Sequence, residues 1–408
     1  MPPIPPAMAS TLPLFDYFYL STSPGMTNKR TEKILALTAA VTVVIAGLLG
    51  FIKESGHIEY EIASLITENE VIQVKGEGRF IIFERESEHP LAYISVEVAE
   101  GYAGEIRTAV RVDTLGYIDD FYIFKHSETP SFFKKVIHKG LIRQLKGTSY
   151  AESFKPDQGI DVVSGATYTS DAIIECAKSG SRHIALEELG FEVPADIKPP
   201  FLVGISEIAL VLLYLVALIG VYTSFPYKKI LRWTTLVTGL VILGFWFSVP
   251  LTLSRINLFL IGFWPDWHYN LYWYILVFGF FLILMVTRKN IYCSWICPLG
   301  CIQDGIGLVG AARSRFSRKV NHVMKWVQRF VAWLAIVLAL YYRNPAQLNY
   351  EIFGVSLSLT GATYLFIATG IFFIASAFIT RPWCNYLCPI TPVADHFRLL
   401  TQSLNKKQ

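Results

Sequence analysis

Apolar stretches of roughly 20 residues recur along this sequence, about the length an α-helix needs to cross the hydrocarbon of a bilayer. The first runs from Ile34 to Phe51, and others cover Phe201–Phe225, Thr234–Ser254, Asn270–Val286 and Trp326–Tyr342. The region Ile352–Thr380 is too long for one straight span. The polar run SLSLTG, ending at Gly361, divides it, so Ala362–Thr380 is taken as the crossing and the preceding piece as interfacial or re-entrant. Backbone amides are not left unpaired in lipid, so each stretch is expected as a helix. Composition agrees, with 53% of residues hydrophobic and only 17% charged. The net charge of +4 is small for 408 residues and gives no reason to expect nucleic acid as a partner.

The expected fold is therefore a membrane protein, with six transmembrane α-helices plus an extracytoplasmic α+β domain. Residues 1–33 form an N-terminal tail, 34–52 a membrane anchor helix, 53–197 the α+β domain and 198–408 a five-helix membrane domain. The tail holds Pro2, Pro3, Pro5, Pro6, Pro13 and Pro24; Met26 is then followed by Lys29, Arg30 and Lys33, as at the start of a signal anchor. Translation from Met26 and a disordered tail are the two readings of that segment. In 53–197 the character changes: RFIIFER and LAYISVEVA read as strands. Lys228, Lys229, Arg232, Arg288, Lys289, Arg313, Arg315, Arg318, Lys319, Lys325, Arg381 and Arg398 all fall in alternate loops on the side of the N-terminus, whereas the opposite short loops hold only Arg255 and Arg343. By the positive-inside rule the termini face the cytoplasm and the α+β domain faces outward.

Residues 161–170 read DVVSGATYTS, followed by DAIIECAK. This is a strand end, a small-residue loop and a helix start. Gly165 and Ala166 leave room for a bulky group, Thr167 offers a hydroxyl, and Thr169, Ser170 and Asp171 suit a helix opening. A phosphate on Thr167 would meet the free N–H groups of that opening. The bland alternative is an ordinary capped helix after a glycine turn. The stretch D-x-x-S-G-A-T resembles the flavinylation motif of the FMN-binding domain of Rnf and Nqr complexes and NosR-type proteins. The segments Gly101–Asp113 and His126–Phe133 also resemble that domain. The resemblance implies covalent FMN in phosphoester linkage to Thr167, added by a flavin transferase. It implies Asp161, Ser164, Gly165 and Ala166 as the surrounding motif. It also implies that the turn with Glu128, Thr129 and Pro130 packs near the flavin.

Six cysteines occur, and five lie in two clusters: YCSWICPLGCIQD holds Cys293, Cys297 and Cys301, and PWCNYLCPITPV holds Cys384 and Cys388. Both contain Cys-x-x-x-Cys-Pro, here abbreviated CxxxCP. Residues four apart on a helix share a face, so each motif is expected to present two thiolates side by side on one helix, near the cytoplasmic edge. Cys293, Cys297, Cys384 and Cys388 together would suit an iron–sulfur cluster or another soft metal. Reduced cysteines at helix ends, with proline as a stop signal, are the alternative. Cys301 is a spare ligand or a buried thiol, and Cys176 reads as core.

An FMN domain followed by two CxxxCP motifs resembles the NosR- and NirI-type membrane proteins. It resembles most the membrane C subunit of reductive dehalogenase systems. That resemblance implies electron transfer from the menaquinone pool through FMN to an extracytoplasmic reductase such as a dehalogenase catalytic subunit. A regulator or maturation factor and a metal-handling protein are the competing classes. Glu207 in the second span, and Asp266 and His268 within FWPDWHYNLYW, are weaker candidates, the latter pair for quinol or for an interfacial aromatic belt.

Overall fold

In the computed structural model the described residues are 29–54, 62, 66–67, 69–76, 78–101, 104–126, 128, 130–154, 160–163, 167–195, 203–223, 226–265, 267–268, 270–312, 317–345, 347–348, 350–359 and 363–404. Helix α1 covers Lys29–Glu54. Leu37, Val41, Val44 and Leu48 on it are exposed, as expected of side chains that meet lipid. Its other face packs on the long helix Arg318–Tyr341, called α10 below. Trp333 Nε1 donates to Thr42 Oγ1 at 3.0 Å, and Gly50 lies against the Leu340 carbonyl, where a Cβ would overlap the oxygen. Thr42 and Gly50 thus match Trp333 and Leu340 in order, so the two helices run parallel. Small residues at such an interface let the backbones approach closely.

The α+β domain is a five-stranded antiparallel meander in the order β1-β2-β3-β4-β5. Its strands are β1 Glu70–Gly76, β2 Arg79–Glu84, β3 Pro90–Glu100, β4 Glu105–Asp113 and β5 Ile118–His126. Helices α2 Pro130–His138 and α3 Leu141–Leu145 follow, then α4 Thr167–Glu187. Helix α4 lies across β3 and β4. Ile173, Cys176, Ala177 and Ile184 recur on its inner face at helical spacing and pack with Val110, Val112 and Ile118 of the sheet. The other sheet face carries Phe80, Ile82, Ala92, Ile94 and Ala109, covered by Ile62. Strand β4 is buried on both faces, so its apolar residues do not simply alternate.

The second half is helical. It comprises α5 Ile205–Tyr222 and α6 Lys228–Gly239, which runs on as a π-helix over Leu240–Trp246. Then come α7 Leu253–Ile261, α8 Leu271–Thr287, a π-turn Tyr292–Ile296 and α9 Pro298–Val309. Helix α10 is followed by α11 Phe353–Ser358, α12 Thr363–Ser376, α13 Pro382–Tyr386 and α14 Ile390–Leu404. Among the described residues four helices are long and apolar enough to cross a membrane: Thr31–Lys53, Ile205–Tyr222, Lys228–Trp246 and Lys319–Tyr341. The other two expected crossings are shorter apolar helices, Leu271–Thr287 and Thr363–Ser376. The stretch Thr234–Ser254 is not one helix: it breaks after Trp246, with Ser248 at positive φ, and α7 begins at Leu253. The division of Ile352–Thr380 is present, with α11 separate from α12.

Candidate flavin and iron–sulfur sites

Thr167 is the first residue of α4, and no acidic residue stands in that helix's first turn. Its side chain, Ser164, Gly165, Ala166 and Thr129 lie outside the described residues. Two residues into the helix, the buried Thr169 hydroxyl donates to Glu128 Oε2 at 2.5 Å. Ser170 Oγ accepts the Val163 N–H at 3.2 Å, fixing the strand that leads into the loop. Glu128 is buried and packs on Gly101, where a Cβ would overlap Oε1. The distant segments Gly101 and Glu128 are thus brought to the opening turn of α4. Beside them His126 stacks on Phe133 with ring centroids 3.6 Å apart; its Nδ1 is buried without a partner among the described residues, and burial lowers the imidazole's pKa. Asp161 is more peripheral: it is exposed, and its N–H donates to Gln144 Oε1 at 2.8 Å. The first turn of α4 carries no acidic residue of its own, which suits a phosphate-bearing ligand, whereas the Glu128 carboxylate bonded to Thr169 disfavours a second negative charge close beside it. Cys176 is core: its thiol is buried, and burial pushes its pKa up to about 12.

Further along α4, Glu97 Oε1 lies 2.9 Å from His183 Nδ1 and accepts from Ser95 Oγ at 2.6 Å; Glu97 Oε2 accepts from Ser179 Oγ at 3.1 Å. Burial pushes the Glu97 carboxyl up, but the bonds from His183 and Ser95 outweigh it and hold the group below its ordinary 4.5. The hydrogen bond from Glu97 raises His183 above its ordinary 6.5, against burial. The stabilisation from Glu97 is complete above pH 4.5 and is lost as pH falls through its lowered pKa. That from His183 is complete below pH 6.5 and is lost as pH rises through its raised pKa. The clip of α4 to β3 is therefore strongest between those values. Thermal unfolding against pH is expected to show this maximum, and His183→Ala to remove the decline on its alkaline side.

The cysteine motifs do not lie on one helical face each. Cys293 sits in the π-turn and Cys297 leaves it with ψ 122° as the N-cap of α9; Cys384 sits in α13 and Cys388 stands outside it. Pro298 and Pro389 explain this, because the residue before proline is driven from the helical region. Each motif thus places one thiol on a helical turn and one at its exit, where the next helix offers free N–H groups. The Leu299 and Gly300 N–H groups reach the Cys297 sulfur, and the Ile390 N–H reaches Cys388. All four thiols lie within electrostatic range of one another, and none is in a disulfide.

Side chains from other helices tie the two motifs together. Gln303 of α9 donates to Cys384 Sγ at 3.3 Å and accepts the Trp383 N–H at 3.1 Å. Gln328 of α10 donates to the carbonyls of Cys384 at 3.2 Å and Cys388 at 2.8 Å. Arg381, just before the second motif, donates to the Cys293 carbonyl at 2.9 Å and forms a bidentate pair with Asp304, each bond 2.5 Å. Asp304 also accepts from Arg232 of α6 at 2.6 Å. Among the described residues no group of three or more His, Cys, Asp or Glu is placed to hold a single metal ion. A buried set of four soft thiols with N–H donors suits a cluster better than one ion. Cys301 is buried on α9, and the second motif has Pro392 at the matching position.

Residues 101–181 match the FMN-binding domain, and residues 269–319 and 361–407 match the 4Fe-4S binding domain, one CxxxCP motif in each segment. The chain joins an FMN-binding domain to a 4Fe-4S binding domain. It is a distant homologue of "Putative electron transport protein YccM" of Escherichia coli (strain K12). The identity is 26% over 124 residues, covering 27% of this chain and 34% of that protein. It is also a distant homologue of "Protein NirI" of Paracoccus denitrificans (strain Pd 1222). Here the identity is 27% over 171 residues, covering 38% of this chain and 25% of that protein. The matched parts therefore span about a third or less of these relatives. FMN and an iron–sulfur cluster are the cofactors these domains take, and the apolar helices embed the chain in a membrane. Of the weaker candidates, Glu207 accepts from Ser206 Oγ at 2.8 Å in the first turn of α5, His268 packs on Trp267, and Asp266 lies outside the described residues.

Proposed function

We infer that this protein carries electrons from menaquinol to an extracytoplasmic reductase such as a reductive dehalogenase. In this reading FMN is held covalently at Thr167, and an iron–sulfur centre at Cys293, Cys297, Cys384 and Cys388. The supporting observation is that Gln303, on the helix that starts at the first motif, bonds Cys384 and Trp383 of the second, while Arg381 beside the second bonds the Cys293 carbonyl of the first. The same chain continues through α1 into the FMN-binding domain. FMN supplies both one- and two-electron chemistry when bound, which suits exchange between a quinol and one-electron centres. The protein's part is placement. Helix α10 meets the second cysteine motif at Gln328 and the C-terminal part of α1 at Leu340, so these two contacts are separated by about 18 Å along that helix, at 1.5 Å per residue.

Anaerobic stopped-flow of the lipid-reconstituted, flavinylated protein against a menaquinol analogue tests this. Rapid bleaching of flavin absorbance is expected, and Thr167→Ala is expected to carry no covalent flavin and show no bleaching. Attached flavin that does not bleach would overturn the quinol-to-FMN path and favour a maturation or sensing role.

A further inference from the structure

Between the cysteine site and the far end of α10 lies a buried carboxylate that the reading above does not use. Glu351 is 7% exposed, and its Oε1 accepts the N–H of Leu253 at 2.8 Å. Leu253 opens α7, so the carboxylate caps that helix from nearly a hundred residues away in sequence. Asn257 in the middle of α7 donates to the Pro345 carbonyl at 3.0 Å, and Ile261 at its end accepts from Arg343 at the end of α10 at 3.4 Å. The rise of α7 from Leu253 to Ile261 therefore sets Glu351 about 12 Å inward of that end. Next to it, the Tyr350 hydroxyl is buried with no hydrogen-bond partner among the described residues and lies within electrostatic reach of both Glu351 and Cys388. Tyr350 also packs on Trp383, the residue before Cys384, with ring centroids 6.2 Å apart.

Two opposed influences act on this carboxylate. A low-dielectric interior disfavours its charge, while the N–H groups and dipole of the α7 N-terminus favour it. A group so balanced responds to a new charge placed nearby, and an electron arriving at the cysteine site is such a charge. We propose that Glu351 is a redox-linked proton site of the membrane domain. For each electron that arrives at the four-cysteine centre, from a quinol or from dithionite in an assay, one proton from water binds the Glu351 carboxylate. When the electron leaves, the O–H bond breaks and the proton returns to water. The other titratable groups nearby are Tyr350 in its own segment and Tyr292 and Tyr272, whose hydroxyls are committed to Leu251 N and Val249 O at 2.9 Å each. Cys388 lies beyond Tyr350. Arg255 lies on α7, and Arg343 is at its far end. An ionisable group inside a membrane domain is costly to keep and is a functional candidate for that reason.

This rests on the iron–sulfur reading, so iron and sulfide content is measured first on the full-length protein in lipid. Absence of both would overturn that reading and this one together. With the centre present, redox-difference infrared spectra are recorded as the potential is stepped. A carboxylic C=O band is expected to grow on reduction, to vanish in Glu351→Gln and to shift in Glu351→Asp. The centre's midpoint potential is expected to fall with rising pH in the native protein and to become independent of pH in Glu351→Gln. Retained flavin and iron in the variant report its folding; if Glu351→Gln loses them, the band shift in Glu351→Asp decides. A band or a pH slope unchanged by these substitutions, with iron present, would overturn the proton site alone.

Discussion

Cys384→Ser alone is expected to abolish all protein-bound iron and sulfide while leaving the flavin in place. The two motifs are not independent pockets. Gln303 and Asp304 leave the first motif's helix and bind Cys384 and Arg381 of the second, and Arg381 returns to the Cys293 carbonyl. In one shared site, losing a soft thiolate removes a ligand that a hydroxyl does not replace. Cys293→Ser is expected to behave alike, and Cys301→Ser to retain iron, because the second motif has no equivalent thiol. The flavin domain, with its own core, serves as the internal control. Iron and sulfide analysis with visible spectra decides the matter. Half the iron remaining in Cys384→Ser would indicate two separate centres, and unchanged iron would remove the site.

The second large effect is expected at Asp304. Its carboxylate faces two guanidiniums, Arg232 and Arg381, and the Arg381 side chain is only 6% exposed. Removing one member of a buried charge network leaves the others uncompensated, at a cost of about 3–5 kcal/mol. Asp304→Asn is therefore expected to lower the thermal unfolding temperature of the membrane domain markedly. It should also loosen the second motif, because Arg381 precedes it and sits in the left-handed region with φ 47°. Double replacement of Asp304 and Arg381 by similarly sized uncharged residues should cost less than the two single losses added, since Arg381 is no longer a stranded charge and only Arg232 is left without its carboxylate. Additive losses in that cycle would show that the pair is not coupled.

Much of the organisation was legible in the chain. Length and apolarity marked the helices, because lipid forces backbone polar groups into helical pairing wherever a long apolar run occurs. Alternation marked the strands in RFIIFER and LAYISVEVA, and Thr167, read as standing at a helix start, is the first residue of α4. Less legible were the breaks. Apolarity carries no mark for a helix that stops inside an apolar region, so Thr234–Ser254 read as one span although the chain turns at Ser248. The placement of two cysteines on one helical face also failed. The prolines that end each motif were visible, but their effect on Cys297 and Cys388 outweighs the spacing of four.

The sequence by itself determined where the candidate residues lie: a threonine at the start of a helix, two thiol pairs, and basic residues in alternate loops. Each follows from local pattern, a few residues wide. Only the tertiary structure decided what these residues share. Glu128 meets Thr169 from 41 positions away, Gln303 meets Cys384 from 81, and Glu351 meets Leu253 from 98. Such meetings arise from the packing of helices and sheet against one another, where burial obliges every polar group to find a partner. No periodicity within a segment records which partner, far along the chain, it will find.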